Sequence, residues 1–190
     1  SEMNNVDCQT FLVVVNFMAE GFSRMDGSAD DISIPALVDY LRQAHIYFLD
    51  YCLPAIRRKL IEAIDCSQDD VSFLILKFFD GYMREVRKHM EYEEKTVFKY
   101  VDTLIHGNAP KNYQISTFSK HHDQVGERLT ELKNIIIKYC PAKANTNVLN
   151  AALFDIYACE EGLESHCKVE DYLFVPAILK LERRMRENEK

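Results

Sequence analysis

At 190 residues, with 47% hydrophobic and 28% charged residues, the chain suits one ordinary globular domain and excludes a disordered one. A formal net charge of -7 argues against nucleic acid, whose binders need a basic face. No apolar run approaches the roughly 20 residues of a membrane span, so neither nucleic acid nor membrane is an expected partner.

Residues 1–28 read as a first helical segment: Asp7 is placed to cap a helix over Thr10–Met25, and Asp26-Gly-Ser-Ala-Asp-Asp31 breaks it. Phe11–Val15 is too short for a secretory core and has no basic leader. Ser33-Ile-Pro35 restarts the chain with a cap and a first-turn proline, and the helical pattern runs to Asp65 with Pro54 expected to bend it. After the break at Cys66–Asp70, a long helix over Val71–Ile105 ends at His106-Gly107-Asn108. A third helix spans about Ser116–Tyr139, and residues 141–147 close it. The last begins near Val148 and reaches the charged tail Glu182–Lys190, with a kink expected at Pro176. Four long helices on short links predict an all-α fold, an up-down-up-down four-helix bundle over residues 33–189. The six cysteines, with no Cys-x-x-Cys pair, are expected to be free thiols in a reducing cytoplasm.

A bundle helix buries residues spaced three and four apart. On the last helix that stripe is Leu149, Ala152, Ile156, Cys159, Leu163, His166, Glu170, Leu173, Ala177. On the third it is Phe118, His122, Val125, Leu129, Leu132, Ile136, with His121 about 100° off it. The first long helix gives Leu41, His45, Phe48, Cys52, and the second Tyr82, Val86, His89, Glu93, Val97, Tyr100, Leu104. Each helix thus presents a histidine to the core, and two add a glutamate one turn later.

A single buried histidine is more often a hydrogen-bonded core residue, and one His-x-x-x-Glu is usually a surface pair. Four inward histidines with two inward glutamates are a different matter. Ionised carboxylates in an apolar interior cost several kcal/mol or shift their pKa, and a shared cation removes both the desolvation and the repulsion problem. Imidazole and carboxylate without thiolate suit iron or manganese better than structural zinc. His45, His89, Glu93, His122, His166 and Glu170 are therefore the expected metal ligands. His106 reads as a helix cap, Cys52 and Cys159 as small core residues, Cys167 as turned away from the core, and Arg183-Arg184-Met-Arg186 as a solvated end.

His45, His89-Met-Glu-Tyr-Glu93, His122-Asp123 and His166-Cys-Lys-Val-Glu170, in this order, resemble the hemerythrin-like (HHE cation-binding) domain over roughly residues 33–182. The two halves also resemble each other through His89-x-x-x-Glu93-Glu94 and His166-x-x-x-Glu170-Asp171. The stretch His122-Asp-Gln-Val-Gly-Glu127 is similar to a segment of the Repair of Iron Centers proteins. This resemblance implies two iron ions with an oxo or hydroxo bridge, carried by Glu93 and Glu170 and served by the four histidines, with manganese or zinc as substitutes. It implies dioxygen, nitric oxide or peroxide as small ligands. The function implied is iron–sulfur cluster repair in oxidative or nitrosative stress, with damaged iron–sulfur proteins as partners. The alternative is a module that senses or binds oxygen, nitric oxide or iron without turnover. Residues 1–28 then read as the remnant of an upstream domain whose cysteine pair is not in this chain.

The sequence also departs from the family. Oxygen carriers use a further histidine one turn from that of the third helix, where this chain has Phe118 and Gly126. The repair proteins place theirs after the first bundle helix, where this chain offers Cys66 and Ser67. Reversible oxygen storage is disfavoured accordingly. Tyr82 and Tyr100 are expected to pack in the core, with hydrogen bonding to the ligands as the other reading.

Overall fold

The computed structural model describes residues 7–20, 32–64, 70–108, 113–120, 125–139 and 144–188. Among them every element is helical: α1 (Cys8–Glu20), α2 (Ile34–Ile46), α3 (Leu53–Ala63), α4 (Asp70–Tyr92), α5 (Phe98–Ile105), α6 (Val125–Lys138), α7 (Thr146–Val169) and α8 (Val175–Asn188). A short 3-10 turn occupies Ile115–Lys120. None of these helices is long and apolar enough to cross a membrane.

The expected caps form. The Asp7 carboxylate accepts the Thr10 N–H at 2.7 Å, and Ser33 Oγ accepts the Ala36 N–H at 3.4 Å. The Asp102 and Leu104 carbonyls are covered at the end of α5, where Gly107 turns to φ +82° and Asn108 N–H reaches the Thr103 carbonyl at 3.0 Å. His106 adds its ring, with Nδ1 2.8 Å from the Asp102 carbonyl oxygen.

Three long helices are not plain α-helices. α2 passes into α3 through a π-turn at Tyr47–Cys52, α4 into α5 through one at Glu93–Val97, and α7 into α8 through one at Glu170–Phe174. In each, the first N–H beyond the turn bonds five residues back: Leu53 to Phe48, Phe98 to Glu93, Val175 to Glu170. The bends expected at Pro54 and Pro176 are therefore π-turns that precede the prolines. Each proline stands in the first turn of the following α-segment, where a missing N–H is tolerated. The α4–α5 helix carries the same feature with no proline in it. α1 is described as far as Glu20, and the remainder of the expected Thr10–Met25 helix lies outside the described residues. The third helix opens as a 3-10 turn, with residues 121–124 also outside.

A π-turn inserts about one residue into the helical period, and the buried stripe slips after those at Tyr47–Cys52 and Glu170–Phe174. Leu53 (0% exposed) takes the place expected for Cys52, and Ile178 (0%) the place expected for Ala177. On α4, ahead of its π-turn, Met90 is buried (1%) and His89 half-buried.

The chain divides into two compact units, residues 1–44, 92–122 and 165–190, and residues 45–91 and 123–164. The first packs Val14, Leu37, Leu41, Phe98, Phe118 and Phe174 into its core, with the rings of Phe98 and Phe174 edge-on at 5.8 Å. Ser33 N–H donates to Thr10 Oγ1 at 2.9 Å, joining α1 to the start of α2. The second unit buries Leu53, Ile56, Ile75, Phe79, Leu132 and Ile156. In it the helix through Tyr47–Ala63 runs antiparallel to α7: Lys59 donates to Asp155 at 2.5 Å and the Asn145 N–H to the Ala63 carbonyl at 2.8 Å. Arg57 grips Asp80 with two hydrogen bonds, of 2.6 and 3.1 Å.

Candidate metal centre

His45 lies in the last turn of α2 and His166 in the last turn of α7, each 3% exposed. Glu93 and Glu170 are the first residues of their π-turns and are 0% exposed. Each of the four offers one donor atom, and these atoms lie within 4.8 Å of one another. His166 Nε2 lies 3.4 Å from Glu170 Oε1, one helical turn away.

The local structure explains the placement. His166 and Glu170 stand four apart on the buried side of α7, where i,i+4 side chains meet. The π-turn opening at each glutamate then lets Val97 and Phe174, both 0% exposed, pack inward just beyond the carboxylate. π-turns are rare and gather at functional sites. Here two of them begin on Glu93 and Glu170, which the sequence pattern did not reveal.

Four of the six expected ligands, His45, Glu93, His166 and Glu170, are thus brought together. His89 stands on α4 one turn before Glu93; its Nε2 is buried, but it is not among the four whose donor atoms meet that closely. His122 lies outside the described residues, as does His121.

The donor set fits a cation. Two carboxylates at zero exposure repel each other and are poorly solvated, and a metal ion between them offsets both effects. Two imidazoles and two carboxylates with no thiolate among them match a borderline-to-hard divalent ion.

Cys167, expected to turn away, is half-buried, and its thiol is pushed far up by burial first and by the Glu170 and Glu93 carboxylates second. Tyr82 is 1% exposed and stacks near Phe79, with ring centroids 6.3 Å apart. Tyr100 does more than pack: its hydroxyl donates to Glu182 Oε1 at 2.5 Å, and the Ile115 N–H donates to the same oxygen at 3.0 Å. Burial and this carboxylate both push the Tyr100 hydroxyl well above its ordinary value. Glu182, read from sequence as the start of the charged tail, is 5% exposed.

A family described as the Hemerythrin HHE cation binding domain has a model that matches residues 36–178, well over half of the chain. The described helices agree with it on an all-α, hemerythrin-like bundle as the fold class. No curated protein matches the sequence.

Proposed function

Because the chain belongs to the hemerythrin HHE cation-binding family, we propose that it is a non-haem di-iron protein that acts in iron–sulfur cluster repair during oxidative or nitrosative stress. The observation that carries this reading is the buried quartet of His45, Glu93, His166 and Glu170, with donor atoms within 4.8 Å. Family membership supports metal binding. Iron is favoured by the donor set, and manganese or zinc would be the substitutes. The likeness of His122-Asp-Gln-Val-Gly-Glu127 to the Repair of Iron Centers proteins supports the repair role.

In this reading His45, His89, His122 and His166 would hold the metal through imidazole nitrogens, and Glu93 and Glu170 would supply its carboxylate ligands. Bound iron would supply one-electron chemistry and Lewis acidity toward dioxygen, nitric oxide or peroxide. The chain's own contribution is to exclude water and fix the donors. Both acids are fully buried, and Val97 and Phe174 shield them on the side of the π-turns.

The test is restoration of an iron–sulfur enzyme inactivated by nitric oxide or peroxide. Iron-loaded chain is expected to restore activity in a dose-dependent way, and loaded-then-chelated chain or Glu170→Ala is not. Tight binding of nitric oxide or dioxygen with no restoration contradicts the repair role and favours the alternative, a sensing or sequestering module.

A further inference from the structure

Two cysteines outside the metal quartet sit against each other. Cys52 ends the first π-turn and is half-buried, while Cys159 on α7 is 2% exposed. Cys159 and the Tyr47 hydroxyl both lie within interaction range of the Cys52 sulfur.

The helix register holds them there. One turn before Cys52, the Phe48 ring lies so near Gly162 that a Cβ on that glycine would meet it at 3.3 Å. Beyond Cys52, Lys59 meets Asp155 and Ala63 meets Asn145. Residue numbers fall along α7 as they rise along its partner, so the facing thiols are one rung of a ladder with contacts on both sides.

We propose that Cys52 and Cys159 form a reversible disulfide in response to hydroperoxides, Cys52 meeting the oxidant and Cys159 resolving it. Cys52 is the more accessible sulfur, and Tyr47 beside it is 51% exposed, so an oxidant reaches this side. The interaction with Cys159, reinforced by Tyr47, holds the Cys52 thiol below its ordinary value, which favours the reactive thiolate. The same interaction, with burial, keeps Cys159 protonated.

The steps balance. The Cys52 thiolate attacks one oxygen of a hydroperoxide, the O–O bond breaks, and the leaving oxygen takes a proton to depart as water or an alcohol, leaving a sulfenic acid. The Cys159 sulfur then attacks the sulfenic sulfur. The S–O bond breaks, and the hydroxide leaves with the Cys159 proton as water. Two thiols lose two electrons and two protons, and the hydroperoxide gains them. A low-molecular-weight dithiol or glutathione-class reductant reverses the change.

Cys52 follows His45 by seven residues on one continuous helix, and Cys159 precedes His166 by seven on α7. The bond would thus tie together the two helices that carry these imidazoles. The chemistry itself needs no metal, so it stands or falls separately from the function proposed above.

The experiment uses the full reduced chain, treated with stoichiometric hydrogen peroxide, blocked with N-ethylmaleimide and mapped by mass spectrometry without reduction. A linked peptide pair carrying Cys52 and Cys159, lighter by two hydrogens and lost on dithiothreitol treatment, is expected. In Cys159→Ser, dimedone is expected to capture a sulfenic acid on Cys52; the mapping of the unaltered chain does not depend on that variant folding. Maleimide on both Cys52 and Cys159 after peroxide, or linkage of either to another cysteine, overturns the proposal.

Discussion

Glu93 and Glu170 are the residues whose burial demands explanation, since an ionised carboxylate held away from water costs several kcal/mol unless something offsets it. If a metal supplies that offset, Glu170→Ala and His89→Ala should each lose metal and stability together, while His121→Ala loses neither. A metal present at about 1,000 times its dissociation constant stabilises the folded chain by about 4 kcal/mol, so the loss should appear in metal-containing buffer and vanish in chelator. Metal analysis and thermal unfolding on the same samples check this; metal stripped by His121→Ala would mean the stripe on the third helix was misread. Tyr100→Phe removes a donor from the buried Glu182 carboxylate and should cost about 1–3 kcal/mol by urea unfolding, leaving metal content unchanged. An unaltered urea midpoint would show that the 2.5 Å hydrogen bond does little. His45, His166, Glu93 and Glu170 were legible because the three-four spacing survives up to each glutamate. Glu182 was not, because its burial follows from the one-residue slip at Glu170–Phe174, which moves the core from Ala177 to Ile178 and the next inward place to Glu182.

The π-turns are the feature of the helices that the sequence hid. Prolines drew attention to two of the three places, yet the turn at Glu93–Val97 forms without one. Pro54→Ala and Pro176→Ala should therefore keep the fold and the metal content. The cost should stay within about 1 kcal/mol, chiefly through the unfolded chain. Circular dichroism melts and metal analysis decide it: large metal loss in either variant would mean that the proline, not the local packing, sets the turn. Between α3 and α4 the Arg57 guanidinium holds the Asp80 carboxyl below its ordinary value. A lowered carboxylate pKa gives stability that is complete above the unfolded value of about 3.9 and is lost as pH falls through the lower folded one. With both side chains partly solvated the pair is worth only about 0.5–1 kcal/mol. Asp80→Asn should thus lower stability at pH 6 by that amount and converge with the parent near pH 2; parallel curves down to pH 2 would remove Asp80 from the account.

Among the described residues, the helices and most of their boundaries followed from apolar periodicity and from caps such as Asp7, Ser33 and Gly107, all of which are local chemistry. The all-α class was legible for the same reason. Which sulfur meets which was not, because Cys52 and Cys159 are brought together by the register of two helices distant in sequence. The central claim is that the buried histidines and glutamates exist to hold metal, and its most direct measurement is the metal content of protein purified without chelators, with a visible spectrum of the same sample. The account predicts about two irons per chain and near-ultraviolet charge-transfer bands, both lost in Glu170→Ala. A well-folded chain carrying no metal, or only traces of zinc, would contradict it and return the quartet to a purely structural role.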